Sequence, residues 1–232
     1  MNEPKSDMPE KSSAGTWPLR TRLVMVALNF LPLLHAAGVG ACILALDGGW
    51  RIGAAVLVLF LLPPLIARML LLVFPIPAGS HPVGSRAFLI WWASAQCQML
   101  FCRFPFLEEC LRLVPGLYSC WLRLWGAKIG RLTFWPPGLR ILDRSLLRIG
   151  HDVVFGSGVR LNAHVIARDE NTGELLLHLA EIEIGDGAHI GGYSLLTAGS
   201  IVERGEHLKA FSLSPPFTRW RDNRRTRPAI PT

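Results

Sequence analysis

His164, in LNAHV, and His178, in LLLHLAE, flank a short polar stretch, RDENTGE, that carries Asp169, Glu170 and Glu174. Imidazole is the side chain best suited to move a proton at neutral pH, because its unperturbed pKa of ~6.5 leaves a large neutral fraction to act as a base. A carboxylate beside it holds one tautomer and stabilises the imidazolium. The three acids of the stretch are the candidates for that role, and no spacing selects one. Of the seven histidines, His151 directly follows an Ile-Gly pair and His189 directly precedes one, where an exposed side chain on a turn is the simplest reading; His81 and His207 have no context that suggests chemistry. The five cysteines (Cys42, Cys97, Cys102, Cys110, Cys120) lack CxxC spacing and read as small buried residues in a reducing compartment, with no disulfide framework.

A repeat must position these residues. Ile184, Ile190, Leu196, Val202 and Leu208 stand six apart, as do Ile149, Phe155 and Leu161. Glycine follows at Gly150, Gly156, Gly185 and Gly191, and a small or β-branched residue comes four after the aliphatic one at Val153, Val159, Val165, Ala188, Ser194 and Ser200. A helix repeats near 3.6 residues and a strand every 2, so a period of six fits neither as a continuous element. It fits a short strand with one inward aliphatic residue, then a corner, with three such faces closing a triangular coil. A weaker register from Ile129 through Trp135 and Ile141 places the start near Ala127. The interval Ala167 to Ala180 breaks the spacing and reads as a loop extruded from the coil, with Asn171-Thr172-Gly173 at its tip. Loops on a rigid scaffold are where chemistry concentrates, and His164 and His178 stand on the two arms of this one.

The upstream half has a different character. The chain is 50% hydrophobic with mean hydropathy +0.34, and the apolar residues concentrate in Leu23 to Leu46 and Ile52 to Phe74. Each run is long enough to cross a hydrocarbon core of ~30 Å as a helix, and the first is too long for a cleavable signal core. The turn DGGWR joins them into a hairpin, with Trp17 and Trp50 at opposite interfaces. Lys5, Lys11, Arg20 and Arg22 precede the first run while the turn offers only Arg51, which puts both termini in the cytoplasm. His35 reads as a neutral partner across the hairpin and Arg68, behind Pro63-Pro64, as a snorkelling cation. From Arg86 to Trp125 the chain mixes Trp, Leu and Phe with charges, the pattern of helices lying in the headgroup plane with Trp91, Trp92, Trp121 and Trp125 as anchors; a third span at Ala87 to Cys102 is the alternative. Arg219, Arg221, Arg224, Arg225 and Arg227, in a chain of net charge +7, suit anionic headgroups or donor phosphates. No nucleic-acid motif accompanies them, so nucleic acid is not expected as a partner.

WLRLWGAKIGR leading into IGHDVVFGSGVRLNAHV and IEIGDGAHIGGYSLLTAGSIV resembles the hexapeptide-repeat acyltransferases, over roughly Leu122 to Leu208; LVPGLYSCWLRLWGAKIGR resembles their membrane-attached members. The resemblance implies a left-handed parallel β-helix and a homotrimer with active sites between adjacent coils. It implies transfer of an acetyl or longer acyl group from acyl-CoA, acetyl-CoA foremost, to a hydroxyl or amine, with no metal. By the same resemblance His164 is the general base, His178 the second candidate and Asn162 an aid to acceptor or oxyanion. For the donor it implies Gly192 at the thiol end, the Ala198 backbone along the pantetheine and Arg204 at phosphate, although Glu203 stands where a small polar residue is usual. The metal-dependent hydratases that share the fold need three converging histidines, and the spacing here does not provide them. A non-catalytic docking scaffold at the membrane is the alternative function.

The expected fold is therefore α+β in several parts. Residues 1–19 form a polar tail, 20–76 two transmembrane helices, 77–126 interfacial amphipathic helices, 127–210 a short left-handed parallel β-helix and 211–232 a basic tail. The expected function is a membrane-anchored acyltransferase of the inner membrane with its catalytic domain facing the cytoplasm. Its expected partners are membrane lipid and an acceptor that is a lipid-linked glycan, a lipid or a small molecule such as a secondary metabolite.

Overall fold

The computed structural model describes residues 17–226; Lys5, Lys11 and Arg227 lie outside the described residues. The first apolar segment is helical as α1 (Leu19–Leu28) and α2 (Leu31–Ala45), the second as α3 (Trp50–Phe60) and α4 (Leu62–Val73). Both pairs, Leu19–Ala45 and Trp50–Val73, are long and apolar enough to cross a membrane by length and composition. Neither is the uninterrupted helix that hydropathy predicts. Pro32 and Pro63-Pro64 stand just after the breaks, and proline supplies no N–H to the preceding turn. Pro64 would have bonded the Phe60 carbonyl, and the indole N–H of Trp121 donates to that oxygen instead, at 2.8 Å.

After α4 the chain forms a short strand, β1 (Gly79–Pro82), and three helices: α5 (Arg86–Arg103), α6 (Phe106–Arg112) and α7 (Leu117–Leu124). Ser85 caps α5 by accepting from the Phe88 N–H. These helices do not present their tryptophans as interfacial anchors: Trp91, Trp121 and Trp125 are buried, and Phe101, Trp121 and Trp125 join the main core with the aliphatic residues of the coil. The physical reason is shape. A stack of coils exposes an apolar end, and α7 with its aromatic residues caps it.

The coil begins with β2 (Lys128–Ile129), β3 (Arg140–Ile141), β4 (Leu147–Ile149), β5 (Val154–Phe155) and β6 (Arg160–Asn162). It is interrupted by the antiparallel hairpin β7 (His164–Arg168) and β8 (Leu175–Leu179), then resumes with β9 (Ile182–Ile184), β10 (His189–Ile190), β11 (Leu195–Thr197), β12 (Ile201–Val202) and β13 (His207–Leu208). It continues past residue 210 as β14 (Leu213–Ser214) and β15 (Arg219–Arg221), before β16 (Arg224–Thr226) folds back antiparallel on β15. The expected basic tail is thus, through Thr226, the last part of the coil, and its arginines are outward residues of strands or of the closing hairpin.

Successive turns add one strand to each of three sheets, β2-β4-β9-β12-β15, β5-β10-β13 and β3-β6-β11-β14, all in parallel register. Ile149, Ile184 and Val202 are in register on the first sheet, Phe155, Ile190 and Leu208 on the second and Leu161 with Leu196 on the third, all buried. Glycine is required where turns stack closest: a Cβ on Gly156 would meet the backbone of Gly192 in the next turn, and one on Gly191 the backbone of Ala210, both closer than real Cβ atoms approach. Val153, Val159, Ala188, Ser194 and Ser200 are buried as the repeat predicts, but Val165 is not, because it lies in the extruded hairpin.

Two devices fasten the helices to the coil. The hairpin forms a sheet with β1, in the order β1-β8-β7, and Leu177 and Leu179 pack against Phe88 and Trp91 of α5. On another side Arg144, 1% exposed, donates to the Gln98 side-chain oxygen and forms a close ion pair with Glu108. Glu108 also accepts from Arg112 at 3.1 Å and from the Tyr118 hydroxyl at 2.5 Å.

Candidate active site

Asp143 and Arg144 lie in the turn between β3 and β4. Ile129 and Ile149 are register partners twenty residues apart, whereas Ile184 and Val202 are eighteen apart, so the first turn is two residues longer than the later ones. The surplus falls between Ile141 and Ile149, where the chain carries Asp143 and Arg144 side by side. Arg144 turns toward α5 and α6, and its backbone N–H is fixed by the Gln98 side chain at 2.8 Å. Asp143 is thereby held, 3% exposed, against the foot of the hairpin.

There it meets His164, the first residue of β7. Nδ1 of His164 is 2.6 Å from Asp143 Oδ2, and Asp143 Oδ1 accepts from the Trp91 indole N–H at 2.9 Å. The Trp91 and His164 rings lie 4.6 Å apart. With Nδ1–H directed to the carboxylate, Nε2 carries the free lone pair, and it has no hydrogen-bond partner among the described residues. Burial disfavours the charged imidazole, but the charge and hydrogen bond of Asp143 outweigh it and hold the His164 pKa above its usual value. A base poised this way is neutral above that pKa and becomes a stabilised cation on taking a proton.

Asp143 therefore occupies the place that the loop acids were expected to fill. Asp169 instead accepts from the N–H groups of Asn171 and Thr172, both at 2.8 Å, and shapes the hairpin tip; Glu170 and Glu174 are exposed and form no ion pair with His164. Strand parity separates the second histidine. His164 is the register partner of Leu179 and Val165 that of His178, so His164 and His178 project from opposite faces of the hairpin. His178 bonds Ser80 Oγ through Nδ1 at 2.7 Å and packs edge-on to Phe217, and burial lowers its pKa.

The remaining candidates are divided among the corners of the coil. Asn162 ends β6, two residues before His164, and is the register partner of Thr197, so Asn162, His164 and Ala198 share one corner. Gly192 lies at the corner that follows β10, stacked on Ser157, and Arg204 at the corner that follows β12, stacked on Gly185 and exposed. One copy of the chain does not bring the three donor-side candidates to a single point. Among the described residues no cluster of three or more His, Cys, Asp or Glu is arranged to hold a metal ion. A cavity of about 660 Å³ is an open groove along the first sheet, bounded by Lys128, Arg148, Glu183 and Arg204, and does not include the dyad.

No family model and no curated protein matches the chain. Among solved structures it is similar to a hexapeptide-repeat acetyltransferase from Vibrio cholerae complexed with acetyl-CoA, at 18% identity and TM-score 0.37, over 58% of this chain and 88% of that one. It is also similar to a maltose O-acetyltransferase from Clostridium difficile (14% identity, TM-score 0.33, 63% of this chain and 89% of that one) and to a galactoside acetyltransferase in complex with coenzyme A (13%, 0.31, 52% and 77%). At these levels of similarity the activities of those proteins do not transfer to this chain.

Proposed function

We propose that the chain is a membrane-anchored acyltransferase that moves an acetyl or longer acyl group from acyl-CoA to a hydroxyl or amine, using His164 as general base. The observation that carries this reading is the Asp143–His164 dyad, a buried carboxylate on Nδ1 with Nε2 left free. In the reaction Nε2 removes the acceptor proton as the acceptor oxygen or nitrogen attacks the thioester carbonyl. Collapse of the tetrahedral intermediate breaks the C–S bond, and the imidazolium returns its proton to the departing thiolate. Asp143 keeps the ring in the required tautomer and stabilises the imidazolium, while Asn162, two residues before His164 in the chain, bonds the acceptor or the oxyanion in this reading.

The stacked turns are read as a left-handed parallel β-helix, and the donor site as an intermolecular one. Because Gly192, Ala198 and Arg204 lie at different corners, they can serve one donor only if neighbouring copies bring corners together. Detergent-purified protein is therefore expected to be a closed trimer by native mass spectrometry or light scattering. An active monomer would overturn the shared-site reading.

The apolar helix pairs are read as a transmembrane hairpin with both ends in the cytoplasm. Leu33, Leu44 and Leu72 are 64%, 87% and 66% exposed, a large apolar surface for lipid to cover. The protein should remain in the membrane fraction through a high-salt wash, since salt screens charge but does not free buried apolar helices. Release by salt would rule out the hairpin.

The dyad also predicts a pH profile. His164 must be neutral to act, so kcat should rise with pH through a pKa above the usual histidine value. Asp143→Asn removes the charge that raises that pKa, leaves the opposing burial in place and loses the tautomer control. The acidic limb should therefore move to lower pH while the maximal rate falls, and an unmoved limb would show that Asp143 does not act on the base.

A further inference from the structure

A cavity of about 290 Å³ lies beside the dyad, where the end of α4 meets α5 and the coil. Its lining is apolar apart from Arg68, Ser94, Ser145 and the tryptophan edges. Two of its walls are also the neighbours of His164: Trp91, stacked near the imidazole, and Leu179, the cross-strand partner of His164. Ser145, two residues beyond Asp143, completes that side.

Three observations point to an occupant. Trp91 and Trp125 give the cavity broad aromatic walls, at 5% and 1% exposure. Arg68, also in the lining, donates to the Arg123 carbonyl at 3.3 Å and has no carboxylate within ion-pair distance among the described residues. The lining then continues into the lipid-facing side of α4, where Leu65, Met69 and Leu72 are 49%, 58% and 66% exposed. An apolar slot with a free guanidinium, open toward the hydrocarbon, fits an alkyl chain with an anionic head group.

We infer that this cavity binds the chain of an anionic amphiphile taken from the bilayer, with its anionic group on Arg68, and that this amphiphile is the acyl acceptor. The acceptor assignment rests on the acyl-transfer reading above and entry from the bilayer on the transmembrane reading; the fit of an anionic amphiphile rests on the lining itself. The acyl chain of the donor is the competing occupant, and competition with an acyl-CoA separates the two.

The full chain in phosphatidylcholine nanodiscs can be photolabelled with dodecyl phosphate carrying a terminal diazirine, with the matching dodecanol as the neutral control and adducts mapped by mass spectrometry. Adducts should concentrate on the peptides of Leu71, Ser94 and Leu146. Arg68→Gln should lower labelling by the phosphate roughly tenfold, the worth of one charge-assisted hydrogen bond, and leave the alcohol unchanged. Ser94→Trp and Ser145→Phe, two independent ways of filling the space, should remove labelling by both probes while thermal unfolding reports that the protein is folded. His164→Ala should label normally, which separates this site from the chemistry. Adducts spread along Leu65 and Met69 with undiminished yield in both filled variants would overturn the site. Displacement of the probe by palmitoyl-CoA at low concentration would overturn the acceptor assignment and give the cavity to the donor chain. Normal labelling together with an inert wild-type protein would instead count against acyl transfer.

Discussion

Replacing His164 by alanine should lower turnover by ~10²–10⁴-fold, the usual worth of a positioned general base, with little change in donor affinity. The side chain is 22% exposed and is partnered by a carboxylate 3% exposed, so its removal also leaves Asp143 with Trp91 as its one remaining side-chain donor. His164→Ala should accordingly lose stability by about 1–3 kcal/mol, the cost of an unmet buried acceptor. This differs from what a histidine on an open surface would predict. His164→Asn separates the two effects, because its amide N–H can still reach Asp143 while it offers no base at the Nε2 position. It should be nearly as inactive as the alanine variant and more stable. His178→Ala is the matched control on the opposite face of the same hairpin and should cost far less turnover. A larger loss in His178→Ala at unchanged stability would reverse the assignment, and full activity in His164→Asn would eliminate His164 as the base.

Glu108→Ala should be the most destabilising single truncation in the chain. It leaves Arg144, at 1% side-chain exposure, without a carboxylate and the buried Tyr118 hydroxyl without its acceptor, while Arg112 keeps its ion pair with Glu109 at 2.6 Å. Breaking a buried ion pair from one side costs about 3–5 kcal/mol, because the surviving charge stays desolvated and unpaired. In a protein of this size that corresponds to a fall in Tm of roughly 10 °C. Glu108→Gln keeps one acceptor oxygen and the side-chain shape while replacing the other oxygen by an NH2 donor, and should recover part of the loss. Activity should fall with stability, since Arg144 anchors the turn that presents Asp143. An unaltered thermal transition in Glu108→Ala would mean that the network does not hold the helices to the coil.

The parts of this protein legible in its sequence are those written in local spacing. A six-residue aliphatic period with glycine at the corner predicts stacked parallel turns, because each turn solves the same packing problem with the same residue types. The extruded hairpin shows as a break in that period, and the apolar segments show as runs longer than a membrane is thick. The same local logic puts both His164 and His178 on the arms of the hairpin, and only the resemblance preferred His164. It also misleads at the prolines, which divide helices that hydropathy alone would leave whole, and beyond residue 210, where arginines mask further turns of the coil.

Tertiary structure decided what stands next to His164. Asp143 comes from the previous turn of the coil and Trp91 from α5, which packs against both, so no spacing along the chain relates the three. The two-residue surplus between Ile141 and Ile149 was the trace left in the sequence, visible only once the stacking register is known. Strand pairing likewise set His178 on the far face of the hairpin from His164, because side chains alternate along a strand and the register assigns each to a face. The tryptophans show the same dependence. Composition made them suitable for a membrane interface, but Trp121 and Trp125 are buried in the main core with Phe101 and the aliphatic residues of the coil.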